Sequence, residues 1–216
     1  MLLDPATSLP QVVLTSHWGL SHCCTITRIA TVDLSMKWHV VDPGNLDGIG
    51  GYDFYDLDSD GSSELVSSDN RFLHAFAGWS GSWSPTRIMK LEGVELRDVT
   101  REPRYQNFLR QRLQQMEARA RQYVQTKEYL DTNGYLGGWV AAKILVGELD
   151  TAWRTMLASY DRNSDWLIFE CRTGVPLAEC PPTERYRPSF PDALSKHLVK
   201  TGYLTPVQTR RLATMQ

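Results

Sequence analysis

The chain has 216 residues, a 42% apolar fraction and seven tryptophans, which argue for a packed core and exclude disorder. Its 23 basic and 25 acidic residues leave a formal charge of -2, so no global field favours nucleic acid or an anionic membrane. No apolar run approaches the roughly 20 residues needed to cross a bilayer.

The N-terminal "MLLDPATSLPQVVL" lacks a basic n-region and a continuous apolar h-region, so no intact signal peptide is visible. From Pro10 to about Asp98 the text reads as eight short strands: "QVVLTS", "TITRIATVD", "KWHVV", "YDFYD", "ELVSS", "RFLHAFA", "TRIMKLE" and "VELRDV". Turn residues separate them in "DPGNLDGIGG", "DSDGSS", "SSDN" and "GWSGSWSP". Spacing this tight predicts antiparallel meanders. Alternation along "RFLHAF" puts His74 on the same side as Phe72 and Phe76.

After Thr100 the period changes. Tyr105, Phe108, Leu109, Leu113, Met116, Ala120, Tyr123 and Val124 recur at three- and four-residue spacing, which predicts a long amphipathic helix. Thr100 is its expected cap, with Pro103 in the first turn. Further helices are expected at "GGWVAAKILVGE", "ELDTAWRTMLASYDR" and "PDALSKHLVKTG", the last stopping at Gly202. The fold class is therefore α+β: a β-rich region over 1–100 and a helical region over 101–216, with no long linker between them, the helices either packed on the sheet as one unit or forming a separate small domain.

The densest chemistry lies in "YDFYDLDSDGSSELVSS", where Asp56, Asp58 and Asp60 alternate and Gly61 follows at once. A hard cation such as calcium takes six to eight oxygens, and alternate carboxylates of an extended loop can wrap one. Asp56, Asp58 and Asp60 would be the first, third and fifth ligands, Ser62 would offer its carbonyl, and Glu64 would bind directly or through water. An EF-hand is disfavoured, because Ser67 stands where its bidentate Glu should be and the flanks read as strands. A solvated acidic turn is the competing reading. The expected ion is structural, since the loop fills most of its coordination sphere and no histidine lies close in sequence.

"DLDSDGSSELV" resembles the loop of FG-GAP and VCBS repeats, found in integrin alpha propellers and in bacterial surface proteins. That resemblance implies a calcium loop between two strands of a propeller blade, with Asp56, Asp58, Asp60, Ser62 and Glu64 as ligands. "QVVLTSHWGLSHCCTITRI" looks like bacterial uncharacterised proteins of secreted type that carry one such loop. A single acidic loop and eight strands imply propeller-like hairpins and not a closed propeller.

The four cysteines fall in two close pairs. Cys171 and Cys180 flank "CRTGVPLAEC" and suit a disulfide, hence a periplasmic or extracellular location, with a cytoplasmic one as the alternative. His22, Cys23 and Cys24 stand in a row; a vicinal Cys23–Cys24 disulfide, a zinc site and inert thiols all remain open. Trp79 and Trp83, among small residues in "FAGWSGSWSPTR", would form a recognition surface for protein or glycan if exposed, and a cover for the fold if not. The expected function is a non-enzymatic, calcium-binding interaction module. The alternative is a hydrolase with a site between the two halves, using His17, His22 or His74 beside a carboxylate.

Overall fold

In a computed structural model the chain is α+β, with antiparallel sheets in its N-terminal half and helices in its C-terminal half. Residues 1–215 are described apart from 8, 20–22, 48–49, 129 and 167–168. The chain divides into two compact units, one of Met1–Asn70 with Thr86–Gln111, the other of Arg71–Pro85 with Arg112–Gln216.

The first unit holds two antiparallel sheets. One is built from β1 (Val12–His17), β2 (Cys23–Val32) and β3 (Trp38–Val41), with the short β4 (Leu46–Asp47) also on β2. The other is a meander of β5 (Asp53–Tyr55), β6 (Glu64–Ser68), β7 (Thr86–Glu92) and β8 (Glu95–Asp98). Alternation along β2 sends Thr25, Thr27, Ile29 and Thr31 inward, and Val13, Ile29 and Val41 share one row across three strands. Ile29 and Val41 from one sheet then meet Leu65 and Leu91 from the other in a single apolar cluster. Leu3 joins them, held by its backbone N–H donating to the side-chain oxygen of Gln11 (2.7 Å). The next row outward, Val12, Ala30 and Val40, faces solvent, with Val12 and Val40 both exposed.

Two expectations fail in or near this region. "RFLHAFA" is no strand: Asn70–Phe72 is a 3-10 turn, and His74 takes a positive φ of 58°. Phe72 and Phe76 stand four apart, a helical-turn spacing, and both pack edge-on against His197. Thr100 caps no helix. Its hydroxyl donates to Asp98 Oδ1 (2.7 Å) and accepts from the Ile88 N–H (2.9 Å), which anchors the end of β8 to β7. The helix instead begins with a 3-10 turn at Pro103–Tyr105 and runs on as α1 (Gln106–Thr126). Along α1, Leu109, Leu113 and Ala120 are buried as the period predicts, whereas Val124 is exposed.

The second unit is helical: α2 (Thr132–Leu145), α3 (Leu149–Ser159), α4 (Phe190–Lys200) and α5 (Pro206–Ala213), with a two-residue ladder of β9 (Glu170–Cys171) and β10 (Arg185–Tyr186) before α4. Three of its helices, α2, α4 and α5, have side-chain N-caps. Asp131 accepts from the Gly134 N–H (2.7 Å) at α2, and Ser189 accepts from Asp192 at α4. At α5, which the strand-and-helix reading of the sequence passed over, Thr205 and Gln208 form a capping box around Pro206 at the first helical position. Trp153, Met156, Leu194, Leu198 and Leu212 are almost fully buried and form the core, and Gly202 (φ 80°) ends α4 in the left-handed conformation.

Candidate metal centre

The acidic residues form the connection of the β5–β6 hairpin, whose strands pair in the register Asp53↔Val66, Phe54↔Leu65 and Tyr55↔Glu64. The loop curls back on itself because its carboxylates accept its own N–H groups. Asp56 takes Asp60 N (3.1 Å) on one oxygen and Gly61 N (3.1 Å) on the other. Asp60 takes both the N–H (2.9 Å) and the hydroxyl (2.6 Å) of Ser62. Gly61 sits at φ 86°, where a side chain would be strained although space for it is open.

Asp56, Asp58 and Glu64 each bring a carboxylate oxygen to within 4.8 Å of the others. This is a set of hard oxygen donors with no nitrogen or sulfur in it, which fits a calcium-type cation. Asp60, expected as the fifth-position ligand, is not in that set. Its Oδ2 accepts from the Lys90 ammonium at 2.6 Å. Ser62 is fully buried and its hydroxyl is spent on Asp60.

Lys90 is the residue that the sequence reading missed. It projects from β7, is only 7% exposed, and its Nζ also donates to Glu64 Oε1 (3.1 Å) and lies 3.6 Å from Asp58. Burial alone would lower its pKa, but hydrogen bonds to Asp60 and Glu64 outweigh that and hold it well above the ordinary lysine range. The same ammonium, with the Ser62 hydroxyl, holds the Asp60 carboxyl well below its ordinary range. Glu64 is fully buried and fully used: Oε1 also accepts from Tyr105 OH (3.1 Å) and Oε2 accepts from Leu57 N (2.9 Å). Burial, then the charge of Glu64, push the Tyr105 phenol upward, so it stays a donor. Arg104 closes the network on Asp58 Oδ2 (2.8 Å) and on Glu102 (2.8 Å). Three loop carboxylates, Asp58, Asp60 and Glu64, face Lys90 or Arg104, and Asp56 is a fourth, so the formal charges leave an excess of two negative charges (4 − 2).

The other predicted positions have different settings. Trp83 is packed edge-on against Tyr123 (5.8 Å) and Tyr135 (5.3 Å), with the Arg119 guanidinium over its ring, so it covers the helical unit. Trp79 is 40% exposed. The most exposed tryptophans are Trp18 (77%) and Trp38 (57%), which flank the outward row of the first sheet. Cys171 and Cys180 are joined by a disulfide with a Cα–Cα distance of 5.7 Å, and Cys23 and Cys24 form a vicinal pair at the start of β2. His17 is exposed, and His22 lies outside the described residues.

Residues 109–202 match a family model described as the sll0997 C-terminal domain. That match starts within α1, close to the point at which the chain divides into its two units. Over 94% of its length the chain is 39% identical to "Uncharacterized protein y4bJ" of Sinorhizobium fredii, of which it covers 32%. It is 36% identical, again over 94% of its length, to "Probable thylakoid lumen protein sll0997" of Synechocystis sp., of which it covers 59%. The chain thus spans about a third and about three-fifths of these two relatives. No solved structure matches it significantly. Each of the two matches covers 94% of the chain and so takes in residues of both units.

Proposed function

We propose that the chain is a non-enzymatic, extracytoplasmic interaction module whose β5–β6 hairpin is set by a structural calcium ion. The observation that carries this reading is the convergence of Asp56, Asp58 and Glu64, with two negative charges left over after Lys90 and Arg104 are counted. A divalent cation would neutralise that excess and relieve repulsion among carboxylates held in one loop. Asp56, Asp58 and Glu64 would hold the ion from the loop side once the Lys90 ammonium, which lies 3.1 Å from Glu64 and 3.6 Å from Asp58, withdraws toward Asp60, with water completing the sphere. The likeness of the loop to FG-GAP and VCBS repeats supports calcium over magnesium.

A location outside the cytoplasm is supported by the Cys171–Cys180 disulfide and by the lumenal name of the Synechocystis relative. The described helices include none long and apolar enough to cross a membrane. The interaction role is supported by Val12, Leu14, Trp38 and Val40, exposed together on the first sheet. This exposed apolar face, with Arg28 beside Leu14 on it, suits a protein or a glycan partner.

Calorimetry and thermal melts on metal-stripped protein test the calcium reading. A ligand that binds only the folded state contributes about 2.7 kcal/mol at a hundredfold excess over its Kd. Calcium should raise the melting temperature, and Asp58→Ala should abolish the calcium-dependent part of that rise. Identical melts in chelator and in calcium would refute the site.

A further inference from the structure

The helical unit contains a cavity of about 360 Å³ whose chemistry is unrelated to the acidic hairpin. That volume is within the range of small-ligand sites. Its apolar lining is aromatic: Phe76 and Phe190 meet edge-on at 5.3 Å, Tyr160 stacks on Phe190 at 6.0 Å, and Trp166 completes the wall. Two guanidiniums also line it, those of Arg162 and Arg187.

The loop that carries these groups is tied down at both ends. The Asn133 amide donates to Asp161 O (2.9 Å) and accepts from Asp161 N (2.9 Å), which fixes the chain before Arg162. Arg187 donates to the carbonyls of Ser164 and Trp166, which fixes the chain after it. The cavity is therefore shaped before any ligand arrives, which lowers the cost of binding.

Neither guanidinium has a carboxylate partner among the described residues. Arg162 lies over the Tyr160 ring at 5.0 Å and makes one long bond to its hydroxyl. Arg187 spends one amino group on two carbonyls. The carboxylate in the lining is Asp161, whose Oδ1 accepts from Asn163 N (2.8 Å). Asp192, nearby in the chain, is engaged by the Ser189 hydroxyl (2.6 Å). The lining thus carries two positive charges against one negative charge. Arginine's planar fork matches an oxyanion, and its stacking on Tyr160 holds that fork in place.

We propose that this cavity binds a small oxyanion carried on an aromatic ring, an aryl carboxylate or an aryl phosphate. The ring would lie against Phe190, Tyr160 and Trp166, and the oxyanion would meet Arg162 and the free donors of Arg187.

Titration of the full chain with benzoate and with phenyl phosphate, followed by Trp166 indole and arginine side-chain NMR signals, tests this. Benzyl alcohol serves as the ring without the charge, and acetate as the charge without the ring. Saturable binding of benzoate or phenyl phosphate, at least tenfold tighter than either control, is the expected result. The tighter of the two names the oxyanion. Arg162→Gln, at an exposed position away from the core, should weaken it about tenfold. Arg187→Lys, which keeps the charge and a donor for the two carbonyls, should weaken it several-fold. Equal weak binding of all four probes, or an unchanged affinity in Arg162→Gln, would overturn the proposal.

Discussion

The β5–β6 hairpin and the α2 helix each bring a distant stretch of sequence against them, and they do so by different physics. The hairpin uses charge. Glu64 and Asp58 meet Lys90 from β7, and the contact is specified by sign and by hydrogen bonds, not by shape. Helix α2 uses the absence of side chains. A Cβ on Gly134 would overlap the carbonyl of Gly81, and one on Gly138 would overlap the carbonyl of Trp83. The segment 71–85 therefore packs its backbone directly on the helix. Three glycines in one helix cost about 1 kcal/mol each relative to alanine, and close packing must offset that cost. The hairpin should tolerate a change of shape but not of charge, and α2 the reverse.

The largest expected effect comes from removing the charge that the hairpin encloses. Lys90→Met keeps the length of the side chain but leaves Glu64 buried beside Asp58 and Asp60 without its cation. Breaking a buried pair by deleting one partner costs about 3–5 kcal/mol. Urea unfolding in chelator should show a loss of that size. Calcium should restore more stability to this variant than to the parent, because the divalent ion then faces an excess of three negative charges (4 − 1). A loss below about 1 kcal/mol would show that the network is solvated and that charge does not set the hairpin.

Gly138→Ala adds one methyl to the other region. Overpacking of a filled site costs about 1–3 kcal/mol, and the atoms in the way are backbone, which cannot swing aside. A Cβ that would overlap the Trp83 carbonyl oxygen puts that cost at the upper end, about 3 kcal/mol, and alanine recovers about 1 kcal/mol of helix propensity, so the net loss should be about 2 kcal/mol. A neutral or stabilising result in thermal unfolding would mean that the 71–85 segment does not sit on α2 at contact distance.

The two regions also differ in how legible they were. The hairpin and its ligand candidates could be read directly, because alternate aspartates, a glycine and two β-type flanks are all local signals. Its cation could not be read so directly, since Lys90 is 26 residues from Glu64. A trace was present: alternation in "TRIMKLE" sets Lys90 on the face of Ile88, a core-facing position where lysine needs a partner. The 71–77 stretch "RFLHAFA" reads as a strand in sequence because aromatic residues carry β propensity and the even spacing of Phe72 and Phe76 fits a strand face as well as a helical turn. The cavity lined by Arg162 and Arg187 had no local signature, since its lining comes from four separate stretches of chain.

The smallest expected effect is on acid stability, and it separates the two units by charge. In the β-rich unit Asp33, Asp60, Glu92, Asp98 and Glu102 are all held below their ordinary carboxylate ranges; in the helical unit Glu170 is, among the described residues. Asp98 shows the balance. Burial favours its neutral form, but the Thr100 hydroxyl (2.7 Å), the Arg87 guanidinium (2.8 Å) and the Thr100 N–H (3.1 Å) hold it charged. A carboxyl with a depressed folded pKa contributes stability that is present above its unfolded value, about 3.9, and is lost as pH falls through the lower folded value. Between about pH 4 and pH 2 the β-rich unit should therefore lose stability faster than the helical one. Hydrogen exchange would show amides of β6 and β7 losing protection at a higher pH than those of α2. Asp98→Asn should flatten the acid limb by on the order of 1 kcal/mol, the worth of a charge-assisted bond discounted for partial exposure. Loss of α2 protection ahead of β6 would break the contrast between a unit held by charge and one held by shape.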